Sequence, residues 1–171
     1  EDGGIVDDVI VYRMQDDDYL IISNAGNRDA VREALAARTD GFAVTVVDVS
    51  DDYALIAVQG PAAEAILAAT AGIDEVSIPW SEQKYYAWAS ARFQGEPLLL
   101  ARTGYTGEDG FELLVRAADA TALWDAVSAA GTAHGLVPAG LAARDTLRLE
   151  AGMPLYGHEL SLETKPAQAG L

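Results

Sequence analysis

The sequence predicts an α+β fold: a largely antiparallel sheet with helices packed on one side. Three observations carry that expectation. Apolar, β-branched runs recur in the order β-β-α-β-β-α and continue as three strands and two helices. Successive strands are separated by only a few turn-forming residues. The helical stretches carry matched start and stop residues.

The first strand is read at 5–13, "IVDDVIVYR", which is apolar on both parities like a strand covered on two faces. An acidic turn at Asp16 to Asp18 leads to "YLIIS" at 19–23. Asn27 can cap a helix over 28–39 that places Val31 and Leu35 on one stripe, with Gly41 beyond its end. Strands follow at 43–49 and 53–59 around Ser50 to Asp52. The stretch "GPAAEAILAATAG" has Pro61 at the first helical position and Gly72 at its close. Beyond Pro79, "YYAWASARF" and "PLLLART" meet at a Gly95 turn, and "FELLVRA" is the next strand. Helices are expected over 119–134, with Leu123, Trp124 and Val127 inward, and over 139–151, ended by Gly152.

Half of the 171 residues are hydrophobic, as ordinary globular folding requires. The formal charge is −16, from 27 acids against 11 bases. Such a field repels phosphate backbones and lipid headgroups, so nucleic acid and membrane are not expected partners. It equally suits the general solubility adaptation that a salt-rich cytoplasm favours. With no cysteine and only His134 and His158, no thiolate nucleophile is possible and no metal site is expected. The expected compartment is the cytoplasm. The chain begins without methionine and is expected to be cut from a longer polypeptide. No P-loop, G-x-S-x-G elbow or complete G-x-G-x-x-G is present.

Polar residues in apolar settings are the candidate site. Asp7 and Asp8 lie among β-branched residues, where a carboxylate needs a partner or a wet cavity. Each is read either as a turn cap or arginine partner, or, for Asp8, as a positioned carboxylate with Tyr12 further along the same face. Gly3 and Gly4 allow backbone or ligand to come close. In "ARTGYTGEDGFELLV", three glycines crowd a corner that runs into a strand, leaving Glu112 opposite Phe111, Leu113 and Val115. Glu112 is read either as solvated or as part of a pocket. On the last helix Arg144 sits between Leu141 and Leu147, where a guanidinium usually finds a carboxylate. Arg148 is expected to pair with Glu150 or Asp145 as a structural link. Tyr85, Tyr86, Trp88, Tyr105 and Tyr156 can stack on a planar ligand, although strand aromatics are more often core. His158 is read as a bystander. Two acids and an arginine suit a neutral heteroaromatic ligand rich in N–H and C=O groups.

Four blocks, "GGIVDDVIVY", "ALIAVQGPAA", "RTGYTGEDGFEL" and "AGLAARDTLRLEAGMPLYGHEL", resemble the aminomethyltransferase family, the T-proteins of the glycine cleavage system. They occur in the family's order over nearly the whole chain. The tyrosine–glycine corner and the "ARDTLRLEAG" helix are the specific ones. The resemblance implies a folate-binding aminomethyltransferase-like fold with ferredoxin-like elements. The chain would be its central segment, residues 1–171, lacking a preceding segment and a following β-barrel domain. It implies transfer of an aminomethyl group from the lipoyl arm of H-protein to tetrahydrofolate, a cosubstrate. Ammonia is released and 5,10-methylenetetrahydrofolate is formed.

By motif position, Asp8 matches the catalytic aspartate, Glu112 the pterin-binding carboxylate and Arg144 a substrate-binding arginine. Tyr12, Tyr85 and Tyr105 are similar to pocket tyrosines. Ala142 stands where the family usually has glycine. An isolated central segment is expected to be impaired. Two alternatives are the folate domain of a dimethylglycine or sarcosine oxidase-like protein and a non-enzymatic folate-binding module. The homologue linked to iron–sulfur maintenance is excluded, because its K-G-C-Y-x-G-Q-E signature needs a cysteine.

Overall fold

The computed structural model describes residues 3–171, which form two compact units. One is discontinuous, residues 3–48 and 154–171, and the other is residues 49–153.

In the discontinuous unit, β1 (Ile10–Arg13) and β2 (Tyr19–Ile22) form an antiparallel hairpin with Ile10 opposite Ile22. The turn is closed by the Met14 N–H donating to the Asp18 carbonyl at 2.9 Å. A single 3-10 turn at Ala25–Asn27 leads into α1 (Arg28–Ala36). Ile5, Tyr12, Val31 and Leu160 are buried here. The expected strand at 5–13 is shorter, because its ladder ends at Ile10, where β2 runs out. Ile5 N–H instead meets the carbonyls of Ser161 and Thr164, each at 3.1 Å. Gly4 lies so close to the Leu162 carbonyl that any Cβ would overlap it, so the close approach this glycine permits is to backbone.

The expected strand at 43–49 is absent. Phe42, Val44, Val46 and Val47 are exposed, and no neighbouring strand takes the backbone groups of this stretch. Alternating apolar residues make a strand only where a partner completes the ladder.

The second unit holds a five-stranded antiparallel sheet. Its strands are β3 (Tyr53–Gln59), β4 (Ile73–Asp74), β5 (Trp88–Phe93), β6 (Glu96–Ala101) and β7 (Gly110–Arg116). Their spatial order is β3-β7-β6-β5-β4. The short α2 (Ala63–Ala68) and α3 (Ala120–Gly131) pack on one face, and α4 (Leu141–Glu150) ends the unit. Pro61 lies in the turn before α2, not at its first residue. On the covered face Ile56, Val58, Leu100, Phe111, Leu113 and Val115 meet Leu67, Leu123 and Val127 in one core. Trp124, expected inward, is 46% exposed. Strand residues of the opposite parity therefore share the face that α2 and α3 leave open.

Candidate functional site

Glu112 is on that open face, half-buried, near the start of β7. In register it lies between Ala57 of β3 and Ala101 of β6, with Trp88 of β5 beyond Ala101. Paired side chains on one sheet face are roughly 4.5–5.5 Å apart. Two methyl groups thus flank a carboxylate, and the next row, Leu55, Leu114 and Leu99, is apolar. Ala57 is exposed while Ala101 is only 1% exposed, so the open surface beside the carboxylate lies over Ala57, on the β3 side. Ala57→Phe is expected to fill it while leaving the exposed β3 edge folded. Melting temperature should then move by no more than a few degrees as ligand affinity is lost.

The Glu112 carboxylate is held from one side. The Thr103 hydroxyl donates to its Oε2 at 2.6 Å, and Thr103 is 1% exposed. Tyr85 stands near enough for the Glu112 charge to act on it. Loss of water contact is the largest cause raising the Tyr85 hydroxyl above its ordinary value, joined by Tyr86 and the Glu112 and Asp109 charges. Although half of Tyr85 remains exposed, it therefore stays a neutral hydrogen-bond donor at physiological pH. Its ring meets Tyr86 edge-on with centroids 4.5 Å apart. Tyr86 has φ +63°, an uncommon conformation for an aromatic residue, and its N–H is tied to the Arg102 carbonyl at 2.9 Å.

The glycine-rich corner is explained from inside the protein. The side chain of Gln59 passes between Gly104 and Gly110, and a Cβ on either would overlap it. From there its Nε2 donates to the carbonyls of Thr103 at 3.1 Å and Phe111 at 3.3 Å. Gly107, at φ +78°, faces the Ala151 methyl, 2.7 Å from where its own Cβ would sit. Gly104→Ala should destabilise by about 1–3 kcal/mol, as overpacking does. Chemical denaturation of the Gly104→Ala, Gln59→Ala and double variants should show coupling between the two sites; simple additivity would refute the steric account.

Arg102 secures the same corner. It forms a two-point pair with Asp109, at 2.9 and 2.6 Å, and its Nη2 also lies 3.2 Å from Glu64 on α2. Nη1 donates to the carbonyls of Trp80 and Gln83, and the guanidinium lies 5.2 Å from the Phe111 ring centre. The hydrogen bonds from Arg102 hold the Asp109 carboxyl below its ordinary value, and Asp109 raises Arg102 in return. The sequence reading missed Arg102 and Gln59. Their signal was present: each polar side chain ends an apolar strand directly beside a glycine-bearing segment.

Arg144 stacks on the Tyr105 ring with its guanidinium carbon 4.8 Å from the centroid. The expected carboxylate partner is not found; among the described residues no acid lies within ion-pair distance of it. Nor is it inside a covered stripe, since Leu141 is 85% and Leu147 39% exposed. Arg148 is the buried one, paired with Asp145 at 2.7 Å as expected and donating to the Met153 carbonyl.

In the discontinuous unit, Asp7 and Asp8 converge on one amide. Asn24 donates its N–H and Nδ2 to Asp7, at 3.0 and 2.8 Å, and Nδ2 to Asp8 Oδ1 at 2.9 Å. No arginine pairs with either acid among the described residues, and Asp8 Oδ2 accepts no bond from them. Asn24 also lines a cavity of about 380 Å³ with Asn27, Tyr156 and Gly157. Tyr12 is buried within β1. Thus Glu112, Tyr85, Tyr105 and Arg144 share the sheet unit, while Asp8 and Tyr12 belong to the other. No group of three metal-ligating side chains occurs among the described residues, and no helix among them is long and apolar enough to cross a membrane.

An antiparallel sheet with helices on one face and a half-buried, hydroxyl-held carboxylate on the other makes this an α+β domain. Residues 1–171 match the GCVT N-terminal domain family throughout, and the chain belongs to that family. Among relatives, it is 55% identical to an aminomethyltransferase of Streptomyces avermitilis over 99% of this chain and 44% of the relative. It is 48% identical to one from Moorella thermoacetica, over 99% of this chain and 45% of that protein. The solved glycine cleavage system aminomethyltransferase T of Bartonella henselae superposes with a TM-score of 0.81 at 35% identity, covering 99% of this chain and 44% of that one. A heterotetrameric sarcosine oxidase from Corynebacterium matches at TM-score 0.52 and 20% identity over 81% of this chain and 65% of that one, a likeness of fold alone. The chain spans somewhat less than half the length of the curated relatives it matches.

Proposed function

We propose that this chain is the folate-binding segment of a glycine cleavage aminomethyltransferase, and that tetrahydrofolate is its small-molecule ligand. The observation that carries the reading is the half-buried Glu112 carboxylate, fixed at one oxygen by Thr103 and flanked by alanines, in a chain whose relatives are aminomethyltransferases. A carboxylate so placed accepts two parallel N–H bonds from the amino edge of a pterin. The exposed Ala57 leaves room for a flat ring beside it, and the neutral Tyr85 hydroxyl, which pairs with Tyr86, lies close to the carboxylate. Arg144, already stacked on Tyr105 and without a carboxylate partner among the described residues, is available to a carbonyl or carboxylate of the same ligand.

Tetrahydrofolate supplies the nucleophilic nitrogens that receive the one-carbon unit, and the aminomethyl group arrives on the lipoyl arm of H-protein. Asp8, with one oxygen held by Asn24 and the other open, takes and returns the proton that moves as ammonia leaves. The site is cytoplasmic in this reading, and the isolated chain binds and turns over less well than a polypeptide of its relatives' full length.

Calorimetric titration with tetrahydrofolate tests the proposal. Glu112→Ala should weaken binding by about 10- to 100-fold, the loss of a charged hydrogen-bond partner. Unchanged affinity in that variant would favour a module that works through its acidic surface. The oxidase-like alternative has only the fold likeness on its side.

A further inference from the structure

We propose that Thr103 is a positioning residue, whose task is to set the Glu112 carboxylate before any ligand arrives. The inference rests on the folate reading for what Glu112 then does, but not for how Glu112 is held. A glutamate side chain has three free torsions, and on an open sheet face it ordinarily samples many rotamers. Here one oxygen is taken by a hydroxyl at 2.6 Å, short as charge-assisted O–H···O⁻ bonds are. The hydroxyl belongs to a residue 1% exposed, so water does not compete for it.

The donor is itself anchored. Gln59 Nε2 donates to the Thr103 carbonyl at 3.1 Å, reaching over from β3 through the gap that Gly104 and Gly110 leave. Arg102, the preceding residue, is fixed by Asp109, Glu64 and two backbone carbonyls. A rigid backbone on both sides of Thr103 thus gives its hydroxyl one direction. Glu112 Oε1 accepts nothing from the described residues. The carboxylate therefore presents a set plane and an open oxygen, and an incoming pair of N–H groups meets an acceptor that need not reorganise.

The test compares Thr103→Val, which keeps shape and loses the hydroxyl, with Thr103→Ser, which keeps the hydroxyl and loses the methyl. Thr103→Ala replaces Thr103→Val if the latter does not fold. Two readouts are taken: the Glu112 side-chain conformation in ligand-free crystal structures, and tetrahydrofolate affinity. Thr103→Val should release Glu112 from its observed rotamer and weaken binding at least tenfold, equivalent to about 1.4 kcal/mol. Thr103→Ser should hold the rotamer and bind within about threefold of the parent. A purely structural threonine would lower stability without this split between the two variants. Glu112 remaining in place in Thr103→Val overturns the proposal, whether or not affinity falls. If Glu112 is released but the parent chain shows no folate binding at all, positioning stands and the folate reading fails.

Discussion

Asp8→Asn is expected to lower aminomethyl transfer by about 10²- to 10⁴-fold, the range for removing a positioned general acid–base. The measurement belongs in a polypeptide of the relatives' full length that carries this chain. Tetrahydrofolate affinity should stay within a few-fold, because pterin recognition is assigned to Glu112 in the other unit. The substitution preserves volume, and the new amide oxygen can still accept from Asn24 Nδ2, the bond that now reaches Asp8 Oδ1 at 2.9 Å. What disappears is the second oxygen's capacity to take a proton. Asp7 cannot substitute for it, since both of its oxygens already accept from Asn24. Transfer within tenfold of the parent would remove Asp8 from the chemistry. Equal losses of transfer and binding would make it a binding residue instead.

Arg102→Met should destabilise the sheet unit by about 2–4 kcal/mol, because it strips partners from several groups at once. Asp109 and Glu64 lose their counter-ion, and the carbonyls of Trp80 and Gln83 lose a donor. The effect carries a pH signature. Arg102 depresses the Asp109 carboxyl below its ordinary 3.8 in the folded chain. A depressed carboxylate contributes stability that is fully present above its unfolded value and is lost as pH falls through the folded one. The gap between parent and variant should therefore be flat near neutrality and narrow below about pH 4, as the unfolded carboxylate begins to protonate. Urea midpoints measured from pH 7 down to 3 read this directly. A gap that widens on acidification would contradict the assignment.

Much of this architecture is legible in the chain's local patterns. "YALIAVQ", "WASARF" and "FELLVR" alternate or run apolar as strands do, and all three are strands. The 43–49 stretch has the same composition yet forms none, because pairing is a property of neighbours and not of the segment. The reading of Asp7 and Asp8 as embedded strand acids lost its strand for the same reason, and the amide that gathers them lies sixteen or more residues away. A pair whose members are far apart in sequence leaves no periodic trace. Arg148 and Asp145, three residues apart on one helix, could be foreseen. Arg144 could be singled out as a cation in an apolar setting, but its aromatic partner could not, since Tyr105 lies on a different segment. The glycines of the corner were visible as a demand for close approach. What approaches, Gln59, emerged only with the β3–β7 register, which places it opposite Gly110.

The central claim is that Glu112, set by the corner around it, reads the amino edge of a reduced pterin. A crystal structure of this chain soaked with 5-methyltetrahydrofolate tests it most directly. The account predicts the pterin ring beside Glu112 over the exposed Ala57, with two of its N–H groups within hydrogen-bond distance of Glu112. A ring bound elsewhere, with Glu112 still engaged only by Thr103, would contradict it.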